Sequence, residues 1–255
     1  MRHVWVRAAA ALAIGSAAAG AQRGDTRQDF IQKKLAAVEQ FASANQAALR
    51  KYTWTETVRF LLKDELRSTW EFSCRYGADG KIVRTAKGPP PPGTTAGPFA
   101  PKPGKESKEE LEATVAKVRV VVALYVPPET QKLQKAFQAG RVRTEKPIQG
   151  EALLHIADYA RPGDSLLLDF RTDLRKLVRL KAASYLDDAS PSQAVAIDVR
   201  YATLPDGTNH PENVEVSEAK EGIRVMIESY DYRAAAKCPI PDPVRKAIEA
   251  LEGRK

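Results

Sequence analysis

The sequence holds little of what catalytic and metal sites are built from. Three histidines and two cysteines are spread over 255 residues, too few for a disulfide scaffold. His155 and His210 are the histidines beyond the N-terminal region, and neither belongs to an H-E-x-x-H or Cys/His cluster, so zinc ligands at their usual spacing are missing. There is no glycine-rich phosphate loop and no nucleophile elbow. After the first apolar run, no uncharged segment approaches the roughly 20 residues that a spanning helix needs. These absences argue against an enzyme, a metal centre, an organic cofactor and a membrane-spanning protein.

The weaker catalytic patterns have ordinary alternatives. His155, Asp158 and Asp164 could form an acid/base group, or be a strand-end histidine beside the aspartates of a turn. Asp187-Asp188, and Asp169 with Asp173, could hold calcium if carbonyl oxygens joined them. Adjacent aspartates between strands are also plain turn chemistry.

What is present begins with an address. Arg2 and Arg7 precede an apolar run from Ala8 to Ala19, and Ala19-Gly20-Ala21 supplies a small-x-small cleavage pattern. Cleavage before Gln22 is expected, leaving residues 22–255 as a single β-rich domain in the periplasm or outside the cell. The net charge falls from +8 to +6 when Arg2 and Arg7 leave. A basic excess attracts anionic lipid, glycan or nucleic acid, and export removes nucleic acid from the expected partners. In an oxidising compartment, Cys74 and Cys238 make either one bridge or two buried thiols. A bridge would contribute about 4–5 kcal/mol in the chain-entropy model.

The hydrophobic period then divides the chain. Asp25 to Arg50 reads as a helix with Asp25 as N-cap and Phe30, Ile31, Leu35, Val38, Phe41 and Leu49 along its apolar side. From Tyr52 the period is two. Strands are expected from Tyr52 to Leu62, Leu66 to Tyr76 and Lys81 to Ala86, each of the first two with one apolar and one polar face. Seven of the 17 prolines lie between Pro89 and Pro103, so that stretch is a loop or extended spacer. Helices follow from Ser107 to Tyr125, with Leu111, Val115, Val118, Val122 and Tyr125 in one stripe, and from Glu129 to Ala139. Residues 88–140 thus form a Pro-rich and helical insert. Six further strands are expected near Glu151–Ile156, Ser165–Arg171, Leu174–Leu186, Gln193–Thr203, Asn213–Lys220 and Gly222–Arg233, with a short helix from Pro241 to Leu251.

About nine strands in one sheet must curl, close or be covered. The expected fold is α+β: a curved antiparallel sheet or unclosed barrel covered by the N-terminal helix and the mid-chain insert. This layout resembles the lipoprotein-carrier (LolA-like) fold of bacterial envelopes. The wording of Tyr52-Thr53-Trp54, Arg75-Tyr76 with Asp79-Gly80-Lys81, Tyr185-Leu186-Asp187-Asp188, and Arg200-Tyr201 through Asn209 also resembles a family of uncharacterised secreted bacterial proteins.

The carrier resemblance implies a lipid or lipoprotein acyl chain as ligand. Trp54, Phe60, Trp70, Phe72 and Tyr76 form the candidate apolar lining, and the stripe from Leu111 to Tyr125 the candidate lid. Arg175, Arg179 and Lys181, expected on one face with Leu177, are candidate contacts to an anionic group, or a charged edge that discourages pairing. The alternative function is an interaction module: a fully packed core, with another envelope protein docking on the sheet or on Pro89-Pro90-Pro91-Pro92.

Overall fold

The computed structural model describes residues 18–88, 107–144, 150–187 and 190–234. Most of the Pro-rich segment, the expected terminal helix, Asp188 and Cys238 lie outside them.

The chain begins with helix α1 (Ala18–Leu49). It starts before Asp25, which is therefore an interior residue and not an N-cap; alanine upstream is the strongest helix former and carries the helix back. Cleavage before Gln22 would trim its first turn. Strands β1 (Tyr52–Leu62), β2 (Glu65–Tyr76) and β3 (Ile82–Ala86) form a meander. Lys63 and Asp64 join β1 to β2, and both adopt positive φ, +51° and +62°, the conformation that matches a two-residue turn to the strands' twist.

Helix α2 (Lys108–Ala123) follows the Pro-rich segment. The Ser107 hydroxyl accepts from the Glu110 amide at 3.2 Å, while the Glu110 carboxylate accepts from the Ser107 amide at 2.8 Å. This reciprocal box satisfies two amides that a helix start leaves unpaired. Helix α3 (Thr130–Gln138) completes the insert.

The second strand block is β4 (Val142–Thr144), β5 (Glu151–Ala157), β6 (Ser165–Arg171), β7 (Lys176–Asp187), β8 (Ser190–Thr203), β9 (Asn209–Glu218) and β10 (Ile223–Ala234). Ten strands stand where about nine were expected: β4, three residues long, is too short to show a period. Asn209-His210-Pro211 opens β9 and is not a turn. Pro211 sits where the β8–β9 register shifts, a place that tolerates its missing donor.

All pairings are antiparallel, in the order β3-β2-β1-β10-β9-β8-β7-β6-β5-β4. The two end strands do not pair, so the sheet is an unclosed half-barrel. Its chain ends meet in the middle, through β1 and β10.

One face of this sheet is apolar and the helices fill it. Leu154, Leu168, Leu180, Ile197 and Val199 are buried against Val118, Val121, Leu133 and Ala136 of the insert. Val121 is fully buried and Val122 only partly, so the apolar stripe of α2 runs through Val121. Phe41 of α1 meets Phe170 edge-on at 5.5 Å. Asn45 and Asn209 then tie α1 to β9, the Asn209 amide donating to Asn45 Oδ1 at 2.7 Å and Asn45 Nδ2 donating to the Asn209 carbonyl.

The C-terminal end of α2 is pinned by a buried polar knot. Tyr125 donates its hydroxyl to Asp164 at 2.6 Å and is also hydrogen-bonded to Ser184 at 2.8 Å. Asp164, 3% exposed, accepts the backbone amides of Tyr159, Ala160 and Arg161 as well. Burial, then the hydrogen bond to Asp164, pushes the Tyr125 hydroxyl well above its ordinary pKa. A buried carboxylate needs such a full set of donors. Tyr125→Phe strands one of its acceptor sites, and urea unfolding should show a loss of about 1–3 kcal/mol. An unchanged stability would mean the knot does not anchor the insert.

Candidate ligand-binding site

The half of the concave face near β3 is built differently from the packed half. Antiparallel register places Trp54, Cys74 and Arg84 in one row, Glu56, Phe72 and Ala86 in the next, and then Val58 with Trp70. Alternation dictates that all of these face inward. The row therefore carries charge into an apolar surface. Glu56 is 4% exposed, and Arg84 answers it with two parallel hydrogen bonds, Nε at 2.6 Å and Nη2 at 3.2 Å. The Trp54 indole donates to the same carboxylate at 3.3 Å.

Arg119 reaches this region from α2. Its guanidinium carbon lies 4.5 Å from the centre of the Phe72 ring, a cation–π geometry. Its Nε and Nη2 are buried with no hydrogen-bond partner among the described residues. Burial lowers its pKa, and the neighbouring Arg84 lowers it further. Cys74 lies beneath, 1% exposed as a free thiol, and burial followed by the field of Glu56 raises its pKa to about 12. It is held protonated and is a poor nucleophile. Its expected bridge partner, Cys238, lies outside the described residues.

Above Trp54 an aromatic stack closes the sheet. Trp54 stacks on Tyr232 at 5.6 Å and meets Tyr76 at 5.4 Å, and His210 lies 4.1 Å from Tyr232. Tyr232 faces inward because the β1–β10 register shifts beside Asp231, whose φ is +55°. A bulge of this kind re-aims the following side chain. Burial lowers the pKa of His210. Trp54 and Tyr76 thus belong to a closed stack, and Phe60, 3% exposed, to the core.

Trp70 and Phe72 border open space. Strand β3 ends with Ala86 opposite Phe72, so the Glu65–Glu71 stretch of β2 has no strand neighbour on that side among the described residues. Helix α2 stands across from it. Between them lies an open cleft of about 830 Å³, walled by Trp70 and Phe72 on the sheet and by Val115, Ala116 and Arg119 on the helix. That volume falls within the roughly 300–1,000 Å³ of small-ligand sites. Under α1, a second cavity between Phe41, Phe170, Leu177 and Tyr201 measures about 70 Å³. It has less than a tenth of the cleft's volume.

The expected cationic face does not form. Arg175 occupies a turn with φ +50°. The β6–β7 register shifts between Asp169 and Phe170, leaving Val178 as an extra residue. Leu177 consequently faces the core, while Arg179 and Lys181 lie on the outer face, where Arg179 pairs with Asp198. The bulge breaks the period-two rule that grouped them.

His155 is exposed on β5, and Asp158 Oδ1 accepts the Gly163 amide within the turn. With Asp164 spent on the Tyr125 knot, the three do not assemble into one site. Asp173 is paired with Arg171. Among the described residues no three His, Cys, Asp or Glu side chains cluster as a metal site, and no helix is long and apolar enough to cross a membrane.

Arg84, Glu56 and Arg119 were not singled out from sequence, although a glutamate in an inward-facing position asks for a counter-ion. Arg84→Met should therefore destabilise the fold by about 3 kcal/mol, because it strands a buried carboxylate. Adding Glu56→Gln should recover much of that loss. Additive losses in chemical unfolding would show that the pair is not coupled.

No family model matches the chain, and no curated protein matches it. Among solved structures, it is similar to a LolA superfamily protein from Nitrosomonas europaea, at 11% identity and a TM-score of 0.37, over 81% of this chain and 94% of that one. It is also similar to a DUF1329 family protein from Desulfovibrio piger, at 14% identity and a TM-score of 0.39, over 81% and 95% of the respective chains. At these values the likeness assigns no ligand. The element order of the chain itself, a helix, three strands, a helical pair and a second strand block on an unclosed sheet, is the layout expected from its sequence.

Proposed function

We propose that this protein is an exported, non-catalytic binder of an amphipathic ligand, a lipid or lipoprotein acyl chain, held between α2 and the β2–β3 end of the sheet. The observation that carries this reading is the cleft itself. The cavity under α1 has less than a tenth of the cleft's volume, whereas the β2–α2 gap is open and has apolar side chains on both walls. Apolar surface left open in this way gains by taking an apolar guest, at about 25 cal/mol per Å² removed from water. The ligand seat is narrower than the aromatic face expected from sequence: Trp70 and Phe72 belong to it, together with the α2 positions Val115 and Ala116.

The lid in this reading is α2, anchored at its C-terminal end by Tyr125. The signal-like N-terminus supports a periplasmic or secreted location.

A second reading draws on the β2 edge from Glu65 to Trp70, which has no strand neighbour among the described residues. Exposed edge groups accept an added strand, so an envelope protein could dock there in place of a lipid. Native mass spectrometry of protein purified from the periplasm, followed by organic extraction, separates the two. The expected result is a polypeptide beginning at Gln22 that carries a stoichiometric lipid. A bare mass, unchanged after incubation with envelope lipids, would overturn the carrier reading and favour the protein partner.

A further inference from the structure

We propose that the cleft selects an anionic amphiphile and that Arg119 holds its head group; the inference rests on the carrier reading and specifies its ligand class. The chain supplies its own template for the contact. Arg84 grips Glu56 through Nε and Nη2, Arg171 grips Asp173 through the same two nitrogens, and so do Arg179 with Asp198 and Arg233 with Asp231. In each, one edge of the guanidinium meets both oxygens of a carboxylate, the arrangement that makes arginine a planar receptor for carboxylate or phosphate. Arg119 has this same edge, Nε with Nη2, buried and without a hydrogen-bond partner among the described residues.

The surrounding charges do not satisfy it. Glu56 is the nearby carboxylate whose field acts on Arg119, and Arg84 already occupies it through both oxygens; Arg84 itself repels Arg119. At the rim of the cleft, Glu71 is paired with Lys87 at 2.9 Å, and Glu112 is likewise engaged. Two guanidinium groups against one buried carboxylate leave one positive charge in the wall of the cleft, against the Phe72 ring. Buried guanidinium nitrogens without an acceptor are unfavourable, and an anion arriving with an alkyl tail satisfies them and the apolar side chains of the cleft together.

Both nitrogens of Arg119 are closed to water, and the Phe72 ring lies against the guanidinium. The head group therefore displaces part of that cover, the Phe72 ring included. The tail then runs between Trp70 on the sheet and Val115 and Ala116 on the helix. A carboxylate and a phosphate monoester suit the guanidinium edge alike, and a fatty acid is the simplest ligand with this chemistry.

Calorimetric titration of the mature protein with dodecanoate and with dodecanol, which share a tail and differ in charge, tests the proposal. Dodecanoate should bind about tenfold tighter, the worth of one charge-assisted bidentate contact. Arg119→Gln should bring the two to equal affinity, and Arg119→Lys, which keeps the charge and loses the edge, should fall between. Equal affinities in the unaltered protein would overturn the anion preference and leave the carrier reading standing. A preference that survives Arg119→Gln would place the head group elsewhere and also overturn it. Binding of neither ligand would remove the carrier reading and this inference with it. Were Arg119→Gln to unfold, the Arg119→Lys comparison decides alone: an unchanged preference overturns the edge contact.

Discussion

An open sheet with one apolar face has to be covered, and this constraint governs the rest of the molecule. The two end strands β3 and β4 do not meet, so the sheet cannot bury its own concave surface by closure. Helices from two separated parts of the chain do so instead. Helix α1 arrives from the N-terminus and α2 and α3 from a mid-chain insert, and each has to be fastened to a particular strand. The Asn45–Asn209 pair fastens α1, and the Tyr125–Asp164–Ser184 knot fastens the insert. Both fasteners are polar and directional, which fixes where the helices sit in a way that apolar contact alone does not.

The cover is uneven because the sheet is uneven. Over β5 to β9 the helices pack down to fully buried side chains such as Leu133, Leu154 and Leu168. Over β2 the fit stops, since β3 runs alongside only the last five residues of that strand. The same region holds the charged row of Glu56, Arg84 and Arg119. Apolar side chains and the Nε–Nη2 edge of Arg119, without an acceptor among the described residues, therefore share one gap, and the proposed ligand site rests on this coincidence and not on the fold by itself.

Much of this architecture was legible in the sequence, because period two and period 3.6 report directly on which side chains are buried. Val195, Ile197 and Val199 alternate as expected along β8, and Leu111, Val115 and Val118 fall on the buried side of α2. What escaped were the places where the period breaks. The bulge at Val178 moves Leu177 to the opposite face from Arg179, and the one beside Asp231 turns Tyr232 inward. A single extra residue leaves no mark in composition, yet it reverses the facing of side chains on either side of it. The charged row was hidden for another reason. Glu56, Arg84 and Arg119 are far apart in sequence, and only the β1–β2–β3 register with α2 laid across it makes them neighbours.

The proposed ligand lays its tail against Trp70 in the β2–α2 cleft. Removing the first 21 residues takes Trp5 with it, leaving Trp54 in the closed aromatic stack and Trp70 at the cleft as the tryptophans of the mature protein. Fluorescence quenching by a fatty acid brominated along its chain reads contact with each directly, in Trp54→Phe and Trp70→Phe variants. The account predicts saturable quenching when Trp70 is the sole reporter and little when Trp54 is. Quenching confined to Trp54, or absent from both, would contradict it.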